Sequence, residues 1–220
     1  MSIQSHIDAL RQTVPQDVTI VAVSKFHPSP MIMEAYGCGQ RIFGENRVQE
    51  LVEKQRELPR DIQWHFIGSL QRNKVKQIAP FISLIHSLDS ERLMFEIEKQ
   101  GAYNDRIISC LLQIHIAEEE TKSGFSPDEC RQFLAKEKWK ECTHVQIAGV
   151  MGMATLTENE AQIRNEFRLL KSLFDEFKAG YFTGVASFKE ISMGMSGDYR
   201  TAIEEGSTMV RLGTLIFGER

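Results

Sequence analysis

Lys25 stands directly after an unbroken apolar run, VTIVAVS (18–24). A free lysine amine has a pKa of about 10.4 and is protonated at neutral pH. At the mouth of an apolar interior, desolvation and nearby positive charge favour its neutral form. A neutral amine condenses with an aldehyde carbon. The same position also suits a lysine that reaches along apolar surface to water, so Lys25 alone leaves both readings open.

Two segments near the C-terminus are suited to an anion. Ser196-Gly197-Asp198 precedes a short helical pattern near 197–205, where unused backbone N–H groups and the helix dipole favour negative charge. Gly213-Thr214 offers close backbone approach and a hydroxyl. Each, taken singly, also reads as a plain cap or turn. Together with Lys25 they make the two anchors that a phosphorylated aldehyde requires.

Arg211 lies two residues before Gly213. Beside a ring nitrogen it would donate a hydrogen bond and never accept a proton. A pyridine so placed stays unprotonated and is a weaker electron sink than one paired with aspartate. The alternative is a structural salt bridge. His65, His86 and His115 fall near the ends of three successive predicted strands. A metal hydrolase could use such a set, but no H-x-H or H-E-x-x-H spacing supports it, and hydrogen-bonded interior histidines are the favoured reading. Lys122, in TKSG (121–124), is either a contact for a second anion or a solvated lysine. The methionines of VMGMA and SMGMS either pack on a flat ring or fill core space.

The elements that position these residues alternate strand and helix. Predicted strands run at 18–24, 41–45, 62–68, 84–89, 109–117, 145–153, 190–194 and 209–218. Helical patterns separate them, and another leads at 2–13. Ser29 is read as a cap before Pro30, Gly101 as the stop of the helix after Ser90, and Ser126/Glu129 and Thr157/Glu160 as capping boxes. Ile163, Phe167, Leu170, Phe174 and Phe177 form one core-facing stripe. The pattern predicts an α/β fold, a single (β/α)₈ TIM-type barrel with an extra N-terminal helix, as one domain over 1–220. Active sites of such barrels lie at the C-terminal strand ends, where Lys25, Arg211 and the anion segments all fall. The open doubly wound sheet is disfavoured, because no G-x-G-x-x-G follows the first strand.

The 220 residues are 42% hydrophobic and 25% charged, with a formal charge of −4. No basic tract points to nucleic acid. No apolar run approaches the roughly 18 residues of a membrane span, and the polar N-terminus lacks signal-peptide features. Cys38, Cys110, Cys130 and Cys142 are far apart and form no C-x-x-C pair. They read as reduced thiols in a cytoplasmic protein.

From about residue 18 to the end, the chain resembles the YggS-like pyridoxal phosphate homeostasis proteins. The resemblance rests on AVSK (22–25), FGENRVQE (43–50), WHFIGSLQRNK (64–74), HSLD (86–89), TKSGF (121–125), GVMGM (149–153), SMGMS (192–196) and GSTMVRLGTLIFGER (206–220). All in this order are highly specific. The resemblance implies a barrel like the N-terminal domain of alanine racemase, without the racemase's second domain. It implies pyridoxal 5'-phosphate (PLP) as cofactor, Lys25 as Schiff-base lysine, phosphate contacts at Ser196, Gly213 and Thr214, and Arg211 at the pyridine nitrogen. Asn46, His65 and Met193 match further positions around the cofactor. It implies a protein without catalytic activity that balances vitamin B6 and amino- and keto-acid pools, with PLP-dependent apoenzymes as partners. The sequence is nearly silent on oligomeric state, and a monomer is the default expectation. Phe26-His27, Ser69, His115 and residues 179–190 depart from the family's usual pattern. A racemase-like enzyme is the alternative. It needs a second proton carrier opposite the lysine, and Tyr36, Tyr103, Tyr181 and Tyr199 offer no obvious one.

Overall fold

The computed structural model describes residues 2–119 and 123–219. Eight parallel strands close into a barrel in sequence order. They are β1 (Thr19–Val23), β2 (Ile42–Glu45), β3 (Gln63–Phe66), β4 (Leu84–Leu88), β5 (Ile108–Gln113), β6 (Val145–Met151), β7 (Glu190–Ser192) and β8 (Met209–Leu212). β8 pairs back onto β1 with Thr19 opposite Met209 and Val21 opposite Arg211. The helices are α1 (Ile3–Thr13), α2 (Ser29–Gly37), α3 (Val48–Glu57), α4 (Val75–Ile78), α5 (Glu91–Tyr103), α6 (Pro127–Ala135), α7 (Glu160–Gly180), α8 (Tyr199–Glu204) and α9 (Thr214–Phe217). This is the (β/α)₈ barrel with a leading helix that the alternation predicts. Among the described residues, no helix is long and apolar enough to cross a membrane.

Successive strand side chains face opposite sides, and burial follows that period. Ala22, Phe43, Ile85, Cys110, Leu112, Val150, Ile191 and Val210 pack outward into the large core shared with the helices. Phe167, Leu170, Phe174 and Phe177 of α7 enter the same core. Val21, Leu84, Leu111, Ala148, Met151 and Met209 form a separate, smaller cluster, the plug inside the barrel. Above that plug the inward positions turn polar: His65, His86, Gln113, Ser192 and Arg211 are all buried. The polar layer lies at the C-terminal end of the strands, where such barrels carry their sites.

Several element ends differ from the sequence reading, each for a local reason. Ser29 does not cap: Pro28 occupies that position, and the Ser29 hydroxyl donates to Glu57. Gly101 does not stop α5, which runs to Tyr103. A Cβ there would stand 2.8 Å from the Cβ of His144, so the glycine serves close packing. Asn159, not Thr157, caps α7, accepting from the Gln162 amide. The Ser126/Glu129 capping box is present. The helical pattern after β3 is a 3₁₀ turn followed by the single turn of α4. The segment 209–218 divides into β8 and the helical turn α9, with Gly213 between them. β5 ends at Gln113, and Ile114 then bridges to Phe125.

Gly149 marks the register shift between β5 and β6. Its φ is 152, and a Cβ there would lie 1.9 Å from the Glu190 carbonyl oxygen. Gly149→Ala should therefore destabilise by more than about 1 kcal/mol, read from urea unfolding. Gly180→Ala, where an added Cβ meets nothing within 4 Å, should be neutral or slightly stabilising. Equal stabilities for the two variants would contradict the strand contact.

Candidate functional site at the barrel mouth

A cavity of ≈ 780 Å³ opens at the C-terminal mouth, within the range of small-molecule and cofactor sites. Lys25 and Asn46 line one side, Ser196 and Gly197 another, and Arg211, Gly213 and Thr214 the wall between β8 and α9. Lys25 is half-buried, two residues beyond the inward Val23. The backbone reverses immediately after it: Phe26 has φ 66, a costly conformation for a bulky residue. His27 then stacks on Phe217 of α9, ring centroids 4.7 Å apart, closing the loop after β1 against the end of the chain.

Arg211 is the fixed cation of the site. It is 4% exposed. One terminal nitrogen donates to the Ser192 carbonyl at 2.9 Å and to the Ser192 Oγ at 2.7 Å; the other donates to the Gly152 carbonyl at 3.0 Å. Burial draws its pKa down to about 10, opposed by the Asp198 carboxylate, so it stays charged at neutral pH. Ser192 Oγ lies 3.0 Å from His86 Nδ1, and His86 Nε2 lies 3.0 Å from His65 Nδ1. A guanidinium only donates, so Ser192 Oγ accepts from it. With the serine proton directed at His86 Nδ1, His86 Nε2–H donates to His65. Burial pushes His65 down to about 3. Burial, then the charges of His65 and Arg211, holds His86 well below its ordinary value. Both rings are neutral at neutral pH.

The structure brings Lys25, Asn46, Ser196, Arg211, Gly213 and Thr214 to one cavity. It leaves two sequence-derived candidates, His65 and Met193, outside the lining. His65 faces inward on β3 but is engaged with His86 in the buried layer. Met193 follows the inward Ser192, so alternation turns it outward into the core shared with the helices. Lys122 lies outside the described residues. His115 is separate from the histidine pair; its amide donates to the Phe125 carbonyl. Among the described residues, no three His, Cys, Asp or Glu side chains are grouped to hold a metal ion.

Sequence reasoning missed Gln113, which lines the cavity and donates to the Ser123 carbonyl at 2.8 Å. Its signal was available: a polar residue two positions after the inward Leu111, at the C-terminal end of a strand. Ser192 was missed because its role depends on partners from β4 and β8.

The lining suits a ring carrying an anionic tail. Asn46 Oδ1 is a buried acceptor with no partner among the described residues. An added Cβ at Gly197 would meet nothing within 4 Å, so the wall there is open for a bulky group. A Cβ at Gly68 would lie 2.3 Å from the Asn46 carbonyl, so glycine at 68 permits the close approach that sets Asn46.

The family model described as "Alanine racemase, N-terminal domain" matches residues 1–220, which defines the class of barrel. The chain is 41% identical over 202 residues to the pyridoxal phosphate homeostasis protein of Aquifex aeolicus, covering 91% of this chain and 86% of that one. It is 36% identical over 233 residues to the protein of that name from Haemophilus influenzae, covering 100% and 97%. The chain belongs to the pyridoxal phosphate homeostasis protein family. The solved structure of PipY from Synechococcus elongatus with PLP bound superposes with a TM-score of 0.89 at 35% identity, over 99% of this chain and 100% of that one. An alanine racemase of Clostridium difficile (TM-score 0.76, 13% identity, 100% of this chain and 56% of that one) shares the fold alone.

The neutral histidine pair makes a stability prediction. Between the ordinary histidine pKa and the depressed folded values, the unfolded chain binds protons that the folded chain does not, so stability falls on acidification. His65 alone should contribute a loss of about 2 kcal/mol between roughly pH 7 and roughly pH 5. Urea unfolding at both pH values should show a shallower loss in His65→Gln than in the parent protein. An identical pH dependence would contradict the assignment.

Proposed function

We propose that this chain is a PLP-binding protein of intracellular PLP homeostasis, with the cofactor's aldehyde carbon held covalently by Lys25. The observation that carries this reading is that Lys25, Arg211, Ser196 and Thr214 line one cavity. Ser196, Gly213 and Thr214 would hold the phosphate with hydroxyls and backbone amides. Arg211 would donate to the ring nitrogen, and Asn46 would meet the ring's polar substituents. His65 would act at one remove, through His86, Ser192 and Arg211. When bound, the cofactor supplies an electrophilic carbon and a conjugated ring. A ring nitrogen facing a guanidinium receives no proton from it, which makes the ring a weaker electron sink in the carrier and racemase readings alike.

The same residues argue for carriage rather than racemisation. A racemase needs a second proton carrier facing the lysine. None of the tyrosines lines the cavity. Tyr36 donates to Asp61, Tyr103 is 86% exposed, Tyr181 meets Phe177 edge-on, and Tyr199 accepts from Arg200. In this reading the chain works as a single domain over 1–220, a cytoplasmic monomer without catalytic activity, and passes PLP to dependent apoenzymes. The free thiols support the reducing compartment.

Incubation with PLP should produce the visible absorbance of lysine-bound cofactor, and borohydride should then fix the label on the peptide containing Lys25. Lys25→Ala should abolish both. A normal band in that variant would overturn Lys25 as the anchor. Racemisation of L-alanine at enzymatic rates, followed as deuterium exchange, would overturn the carrier reading.

A further inference from the structure

The FGENRVQE segment contributes two carboxylates, Glu45 and Glu50, and neither lines the cavity. Both converge with Lys54 behind the end of β1. Glu45 ends β2 and is fully buried; Glu50 and Lys54 are one turn apart on α3. The Lys54 ammonium donates to the Ser24 carbonyl at 2.8 Å, to Glu45 Oε1 at 2.7 Å and to Glu50 Oε1 at 2.6 Å. A lysine ammonium has three donors, and all three are used. Glu45 Oε1 also accepts from the Ser24 hydroxyl at 2.6 Å, and Glu50 Oε1 from the Phe26 amide at 2.6 Å. The cluster therefore grips the backbone on both sides of Lys25: the carbonyl and hydroxyl of the residue before it, and the amide of the residue after it.

That grip falls where the chain needs it. Phe26 sits at φ 66, a conformation that bulky residues avoid unless surroundings hold them. Its amide is tied to Glu50, and the Arg47 guanidinium lies 4.7 Å above its ring. Relaxation of Phe26 toward an ordinary conformation would swing the Cα of Lys25 and re-aim its side chain. Buried ion pairs are weak sources of net stability; what this one supplies is three directed contacts from Lys54, one of them to the backbone before Lys25.

We infer that Glu50, Lys54 and Glu45 are positioning residues for Lys25, holding its amine in the direction from which it captures an aldehyde. This rests on the proposed attachment of PLP to Lys25. None of the three lines the cavity; they act through the backbone flanking the lysine.

Glu50→Ala, Glu50→Gln and the parent protein should be compared by two measurements. The first is hydrogen exchange of the Phe26 amide in cofactor-free protein. The second is the rate at which added PLP becomes borohydride-fixable on the Lys25 peptide. In Glu50→Ala, exchange should quicken and capture should slow, each by at least about tenfold. Glu50→Gln keeps an acceptor oxygen for the Phe26 amide and should stay within about threefold of the parent. A merely structural role would lower thermal stability in both variants without separating their capture rates. Should Glu50→Ala not fold, Ser24→Ala removes one hydroxyl from the same cluster and should slow capture by at least about threefold. Labelling of Lys25 at the parent rate in folded Glu50→Ala or Ser24→Ala overturns the inference alone. Failure of the parent protein to label at Lys25 overturns the functional reading, and the inference with it.

Discussion

A guanidinium sealed inside a barrel is the constraint around which the mouth of this protein is organised. Burying a charge is costly unless its surroundings replace the lost water. Arg211 receives that replacement from the Ser192 and Gly152 carbonyls and the Ser192 hydroxyl. These come from β7 and from the residue just beyond β6, so the cation holds together three neighbouring strand ends. β7 and β8 share a single register pair, Ser192 with Met209, and the arginine reinforces that short seam. A fixed positive charge at the cavity wall also sets the chemistry of the site: it attracts an anionic ligand, and it favours the neutral form of any nearby amine.

Two further consequences run outward from that cation. Downward, His65 remains neutral because burial opposes its protonation, and His86 because burial and, after it, the nearby charge do. The serine–histidine chain turns what would be an unsatisfied polar layer into a connected one. On the neighbouring strand, the backbone just beyond β1, on either side of Lys25, is held by Lys54, Glu45 and Glu50. The two bases of the site are thus fixed by different means: the arginine by dipoles within the barrel, the lysine by an ionic cluster between barrel and helix layer.

Much of this was legible in the sequence. The alternation of apolar runs with capped helical patterns implied the barrel, and the barrel's geometry assigned chemistry to strand ends, which picked out Lys25, Arg211, Ser196 and Thr214. Errors arose where tertiary contacts override local preference. Gly101 reads as a helix stop, yet its missing side chain admits the backbone and Cβ of His144. Thr157 and Glu160 have capping-box spacing, but the chain turns so that Asn159 takes the cap. His65 and Met193 adjoin residues of the site, yet lie in the layer below it and in the helix-facing core. Depth along a strand and the parity of a residue just beyond its end depend on strand stagger and exact strand ends, which periodicity does not reveal. The FGENRVQE segment was legible as a motif, but its purpose was not, because Ser24 and Lys54 complete it from elsewhere in the chain.

The most direct test of the arginine's place in the site is the nitrogen-15 chemical shift of ring-labelled PLP bound to the protein. A ring nitrogen facing the Arg211 guanidinium accepts a hydrogen bond and takes no proton, so the shift should be that of an unprotonated pyridine and should stay constant across neutral pH. A pyridinium shift, or a titration through that range, would contradict the account.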